Sequence, residues 1–317
     1  MNEKHASCLA CRVNERTLMK GLTALLFALF FTGCSFNSLV TNKVGDAVAN
    51  GGNTYAKDDD PELIRAATPF SLKLMESLLD QNPKHRGLLL AASSGFTQYT
   101  YVFVQQDADE VEERDVKAAA NMRERARHLY IRARDYGLRG LDSAHPRFIS
   151  TLRTNSASAL SATSSDDVAL LYWTGVSWAA VISVSKDNPE SIADLPSVEA
   201  LIYRALELNE RFDHGAIHGF LISYEMSRPA AGRDAESRSR KHFERTVELT
   251  QGQQVAPYVA LAEAVSVAKQ DRAEFEALLH RALAINVETR PEWKLANIVM
   301  QRRARWLLAR TDQLFSE

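Results

Sequence analysis

The chain is nearly devoid of cysteine: three in 317 residues, none beyond position 34. Cys8 and Cys11 form a C-x-x-C, but it lies upstream of an apolar run and leaves with it if that run is a signal. Cys34 closes the run. With that thiol acylated, no free thiol remains, which excludes disulfides and cysteine-based metal sites from the body. A surplus of either charge is also missing, with 38 basic against 40 acidic residues. Without a basic excess nothing drives binding to a phosphate backbone, which argues against nucleic acid. There is no G-x-S-x-G, P-loop, G-x-G-x-x-G or H-E-x-x-H, and no nucleophile beside a recognisable base. The expectation is therefore a protein that is not an enzyme and carries no cofactor.

Long apolar runs are scarce as well. Gly21–Thr32 is an uncharged stretch of 12 residues preceded by Arg16 and Lys20. It is too short to span a bilayer and has the layout of a secretory signal. It ends in Phe31-Thr32-Gly33-Cys34, which resembles a bacterial lipobox with Phe in place of the usual Leu. Residues 1–33 are therefore expected to be a lipoprotein signal peptide, with Cys34 the lipidated first residue of the mature chain. Met19 offers a shorter start. Ser35, by resemblance to sorting signals, favours the outer membrane. Removal of 1–33 takes away Lys4, Arg12, Arg16 and Lys20 against Glu3 and Glu15, leaving 34 basic and 38 acidic residues.

Residues 34–57 read as a tether. Leu39, Val40, Val44 and Val48 sit at helical spacing before Asn50-Gly51-Gly52-Asn53 breaks the run. The body, 58–317, opens with Asp60 as N-cap and Pro61 at the first helical position. Its organising feature is a pattern written three times: Arg204–Asn209, Arg245–Thr250 and Arg281–Asn286, 41 and 36 residues apart. Each copy closes a helical run, and a second amphipathic run follows. A period of this length with two helices per unit predicts an all-α fold, an α-solenoid of tetratricopeptide-like hairpins whose faces are buried only by stacking.

The same reading predicts that Pro69 kinks or splits its helix and that Asn82-Pro83 ends it. It makes 107–142 one long charged helix, acidic first and basic last, as the helix dipole favours. It makes 155–165 a loop and Ser164-Ser165-Asp166-Asp167 a capping box. Asp213, Asp271 and Thr289 with Glu292 are expected to cap later helices. Two stretches, 87–106 and 168–185, carry no charge over 20 and 18 residues. Helices uncharged all round are more often buried between neighbours than membrane-spanning. Their aromatic residues, among them Tyr99, Phe103, Trp173 and Trp178, suit a ligand-lined wall as well as a core.

Other residues invite chemistry. His214 and His218 have a spacing that can chelate zinc, but no third ligand is fixed, so no metal is expected and capping or packing is the simpler role. Trp293, Asn297 and Gln301 share a helix stripe, and Asn297 on an inner wall could bond a ligand or a neighbouring helix. Arg302, Arg303 and Arg305 could pair a carboxylate or form a solvated face.

Several stretches taken in order resemble the TatT family, the lipoprotein T-component found with TRAP-type periplasmic transporters. They are Asp58–Leu63, Leu171-Tyr172-Trp173-Thr174-Gly175 with Trp178, Gly215–His218, His242-Phe243, Lys269-Gln270-Asp271, Leu295-Ala296-Asn297 and Gln301–Leu308. The resemblance covers nearly all of 34–317. It implies a periplasmic, lipid-anchored solenoid that docks a TRAP ligand-binding protein, binds or passes a small apolar or organic-acid ligand, and forms a homo-oligomer, a trimer. Tyr99, Phe103, Trp173, Trp178, His218, Trp293, Asn297 and Arg302 are the candidate ligand or partner contacts. A structural scaffold of another envelope complex is the alternative that the periodicity alone permits.

Overall fold

The computed structural model describes residues 46–47, 52–185, 188–228 and 232–315. The signal peptide, Cys34 and the apolar positions Leu39, Val40, Val44 and Val48 of the tether lie outside the described residues. Among those described there is no strand, and the structure is all-α. No described helix is long and apolar enough to cross a membrane.

The body begins with a short helix α1 (Gly52–Ala56) where the sequence suggested a break, followed by α2 (Pro61–Gln81). Asp60 caps α2, accepting from the Glu62 and Leu63 amides, with Pro61 at the first position. Asn82 ends it. Pro69 lies inside and neither splits nor ends the helix. Its missing donor costs one bond, but Ile64 on one side and Leu72 and Leu79 on the other are buried, so packing holds both halves in line.

Helix α3 (Arg86–Thr100) runs into a π-helical turn, Tyr101–Gln105, and on into α4 (Gln106–Val111). The charged stretch is thus two helices: a turn after Val111 separates α4 from α5 (Val116–Ala144). Of the acidic residues 107–113, which precede α5, Asp109 and Glu112 face it from the side. Arg123 reaches back to Glu112 at 2.6 Å and Asp109 at 3.3 Å. Residues 155–165 are largely helical rather than a loop, continuing α6 (Phe148–Thr154) as α7 (Ser156–Ser161). Buried Leu152, Ala159 and Leu160 fasten them to the core. The capping box at Ser164 and Asp167 is present, opening α8 (Val168–Ser183) through a 3-10 turn.

The two uncharged helices sit in the middle. Helix α3 packs on α2, α5 and α8, and α8 on α5 and α10 (Leu195–Leu208), with the short α9 (Pro189–Ala193) between. Thr97, Thr100 and Thr174 donate to the carbonyls of Ser93, Phe96 and Leu170 one turn back, and all three are buried.

The second half repeats one arrangement. Helix α11 (Ala216–Ser227) packs on α12 (Ala235–Thr250). Helix α13 (Ala256–Leu261) continues through a π-helical turn, Ala262–Ser266, into α14 (Val267–Lys269) and packs on α15 (Arg272–Leu283). Then come α16 (Lys294–Leu308) and α17 (Thr311–Leu314). The three sequence copies close α10, α12 and α15. Their second positions, Ala205, Thr246 and Ala282, are each buried, so the copies occupy equivalent places against a neighbour. Helices packing mainly on their sequence neighbours are compatible with stacked hairpins. Asp271 caps α15 by accepting from the Glu274 amide, as expected. Asp213 does not cap α11: it lies in a left-handed turn and Gly215 stands at the cap. Thr289 does not cap the last helix either, because a 3-10 turn at Pro291–Trp293 intervenes.

Candidate functional site

The C-terminal part of the body returns to its first helices. Helix α16 packs against α1 and α2, and a run of cations meets a run of acids along this seam. Lys294 pairs Asp59 at 2.9 Å, Arg302 pairs Glu110 at 2.8 Å, Arg303 pairs Asp109 at 3.1 Å and Arg310 pairs Glu113 at 2.7 Å. Helical spacing places Arg302 and Arg303 on different sides of α16. Arg302 is exposed, and Arg303 is turned inward.

The inward side holds a polar cluster between the two π-helical turns. Arg303 reaches Glu263 at 2.7 Å, and the Trp306 ring lies between the guanidiniums of Arg303 and Arg310 at 4.3 and 4.5 Å. Burial raises the Glu263 pKa, against the opposing pull of Arg303. Burial first, and then the Glu263 carboxylate, push the Tyr101 hydroxyl up to about 12. Tyr101 nonetheless keeps 38% of its surface accessible, so it is reached from a side closely hemmed by protein. Both Tyr101 and Glu263 sit on π-helical turns, where the extra residue rotates the following side chains relative to a regular helix.

The outward side forms a recess of about 330 Å³ walled by Glu62, Arg65, Asp107, Glu110, Arg114 and Arg302 over Val111 and Met122. Arg65 holds Asp107 at 2.5 Å and lies 4.7 Å over the Phe103 ring. Arg302 lies between three carboxylates, Glu110, Glu62 at 3.6 Å and Asp107 at 3.8 Å. Arg114, exposed at the rim, makes no ion pair among the described residues. Carboxylates from outside can exchange with those already on Arg302, since one exposed charge-assisted pair replaces another of similar strength.

The predicted contacts fall into separate environments. Arg302 lines this recess, while Phe103 is buried under the guanidinium of Arg65, with the Tyr99 ring tilted against it at 5.6 Å. Asn297 is buried and spent internally: it accepts from the Val255 amide at 2.9 Å and donates to the Gln253 carbonyl at 3.0 Å. Gln301 likewise donates to the Ile285 carbonyl at 2.8 Å. Trp178 is buried, its indole N–H on Asp194 at 3.0 Å. Trp173 lies half-buried against Tyr172, which touches Phe212. The turn from Phe212 to Gly215 continues to His214, edge-on to buried Trp293 at 5.1 Å. Asp213, His214 and Gly215 all have left-handed backbone there, a strained run for the first two.

His218 does not join His214. Its Nδ1 lies 2.8 Å from Nδ1 of His242 on α12. No group of three or more metal-ligating side chains occurs among the described residues. Sequence reasoning missed Glu263, Arg114 and His242 as members of these clusters. His242, quoted within a family-like stretch, carried some signal, and Tyr101 was visible only as one more aromatic of the uncharged stretch 87–106.

A family model, the TRAP transporter T-component, matches residues 57–315. The chain belongs to the TRAP transporter T-component family. The match spans the whole helical body from α2 to α17, seam included. An uncharacterized protein of Treponema pallidum (strain Nichols) is 29% identical over 265 residues, 82% of each chain.

Proposed function

We propose that this T-component is a periplasmic protein held to a membrane by lipid on Cys34, that its helices form a tetratricopeptide-like solenoid, and that it docks the ligand-binding protein of its TRAP system through the recess around Arg302. Family membership supplies the transporter role. The observation that carries the site is chemical. Arg302 and Arg114 stand accessible in a recess with an apolar floor, whereas Asn297 and Trp178 are consumed by internal bonds. An acidic side chain of the partner, or the carboxylate of an organic-acid ligand it delivers, takes Arg302 from Glu110 and finds Arg114 unpaired. Tyr101, on the inner side of the same seam, is the accessible group next in line for a ligand passed inward. The test is affinity purification of the intact protein from its membrane fraction. Recovery of a TRAP ligand-binding protein, lost in Arg302→Glu, supports the reading; its absence from wild-type preparations refutes it.

A further inference from the structure

Helix α2 is apolar on two opposite faces. One is the core face of Ile64, Leu72 and Leu79, packed against α3. The other carries Leu63, Ala66, Ala67, Phe70 and Leu74, which fall on one stripe at helical spacing with no charge among them. Among the described residues it stays largely open. Phe70 is 74% exposed, Leu63 55% and Leu74 38%. A phenylalanine so exposed, flanked by two leucines on one stripe, marks a contact surface rather than scattered surface carbon.

The chain leading into α2 indicates what covers this stripe. The Tyr55 hydroxyl lies 2.5 Å from that of Ser71, the residue after Phe70. Asp46 lies 3.4 Å from His85, just past the end of α2. The incoming segment is therefore pinned at both points beside this helix. From Asp46 back to Cys34 is 12 residues, which fully extended reach about 40 Å. An acylated Cys34 thus keeps the His85 end of α2 within about that distance of the bilayer. Lys57 and Lys84, exposed in the turns before and after α2, make no ion pair among the described residues, leaving two cations for lipid phosphates. A second copy is a poorer occupant: three exposed side chains and two alanines offer far less than the roughly 800 Å² per partner of a stable dimer.

We infer that the Leu63–Phe70–Leu74 stripe of α2 rests on the lipid surface, orienting the body on the membrane with the acyl anchor as the first point of attachment. The inference rests on the proposed anchoring at Cys34. A stripe this small binds weakly alone, but the anchor makes its contact with lipid intramolecular in effect.

The experiment places an environment-sensitive fluorophore on Phe70→Cys, and separately on Lys269→Cys as a distant exposed control, in the full mature protein reconstituted in phosphatidylethanolamine–phosphatidylglycerol vesicles. At Phe70 the emission should shift to the blue and lose most of its intensity to a lipid-borne quencher; at Lys269 it should do neither. Unshifted emission at Phe70 overturns the inference. So does a shift that follows protein density while ignoring the lipid quencher, which would mean a second copy covers the stripe. The mass of the N-terminal peptide reports the anchor independently. An acylated chain with a silent Phe70 probe keeps the anchor and removes the surface, and a quenched probe on an unacylated chain mixed with vesicles does the reverse.

Discussion

At the scale of single residues, the most consequential contact is the one between His218 and His242. With Nδ1 atoms 2.8 Å apart, one imidazole must donate and the other accept, so both cannot be charged. Glu210 lies 3.4 Å from His218 Nε2, and Arg245, itself paired with Glu210, stands beyond it. On the α12 side, buried Glu225 is neutralised by Arg238 and Arg228. Burial above all lowers both histidine pKa values, His242 to about 4. A base with a depressed folded pKa is neutral in the fold and protonates first in the unfolded chain. Its contribution is therefore complete above about 6.5 and lost as pH falls towards 4. Between about pH 7.5 and about pH 4.5, wild type should lose on the order of 2 kcal/mol more unfolding free energy than His242→Gln. Urea titrations at both values check this, and parallel losses in the two proteins would disprove it. Gly137 gives a second test. A Cβ there would stand 2.2 Å from Thr174 Oγ1 and 3.0 Å from Ser93 Oγ, where α5 crosses α8 and α3. Gly137→Ala, which ordinarily favours a helix, should here lower stability by about 1–3 kcal/mol, measured by the urea midpoint.

At the scale of elements, much was legible. The uncharged character of α3 and α8 announced burial. The threefold Arg-x-x-x-Leu-like frame located the ends of α10, α12 and α15, and Asp60, Asp271 and the Ser164 box announced helix starts. Among the features that were not legible, three have a clear physical reason. Pro69 was overruled by packing on both sides of it. The break at 112–115 carries no Gly or Pro, and its one local signal, Asp115 as N-cap of α5, is hidden in a run of other acids. The π-helical turns at Tyr101 and Ala262 leave no compositional trace, yet they set where Tyr101 and Glu263 point. Of the candidate site, Arg302 was visible as a residue, but which acids it meets was not. Arg302 and Glu62 are separated by most of the chain, and no periodicity encodes that pairing. The inner half of the seam is testable through Arg303→Met, which strips Glu263 of its cation while leaving it desolvated. A loss of about 3 kcal/mol is expected, partly recovered in Arg303→Met with Glu263→Gln, as for a buried pair losing one member. An additive double mutant would show that the two side chains do not act together.

At the scale of the whole molecule, α16 lies on α1 and α2, with ion pairs running along the seam. The charged recess is a product of that closure, since Arg302 comes from α16 while Glu62, Arg65, Asp107 and Glu110 come from α2 and α4. Family membership gives the transporter setting, and on the proposed reading the recess is where a partner's carboxylates would replace internal ones. The decisive measurement is a binding titration of the purified protein with the TRAP ligand-binding protein of the same cell, wild type against Arg302→Glu. The account predicts that the substitution raises Kd by about tenfold or more, the loss of one charge-assisted pair and its reversal to repulsion. An unchanged Kd, with both proteins folded, would contradict it.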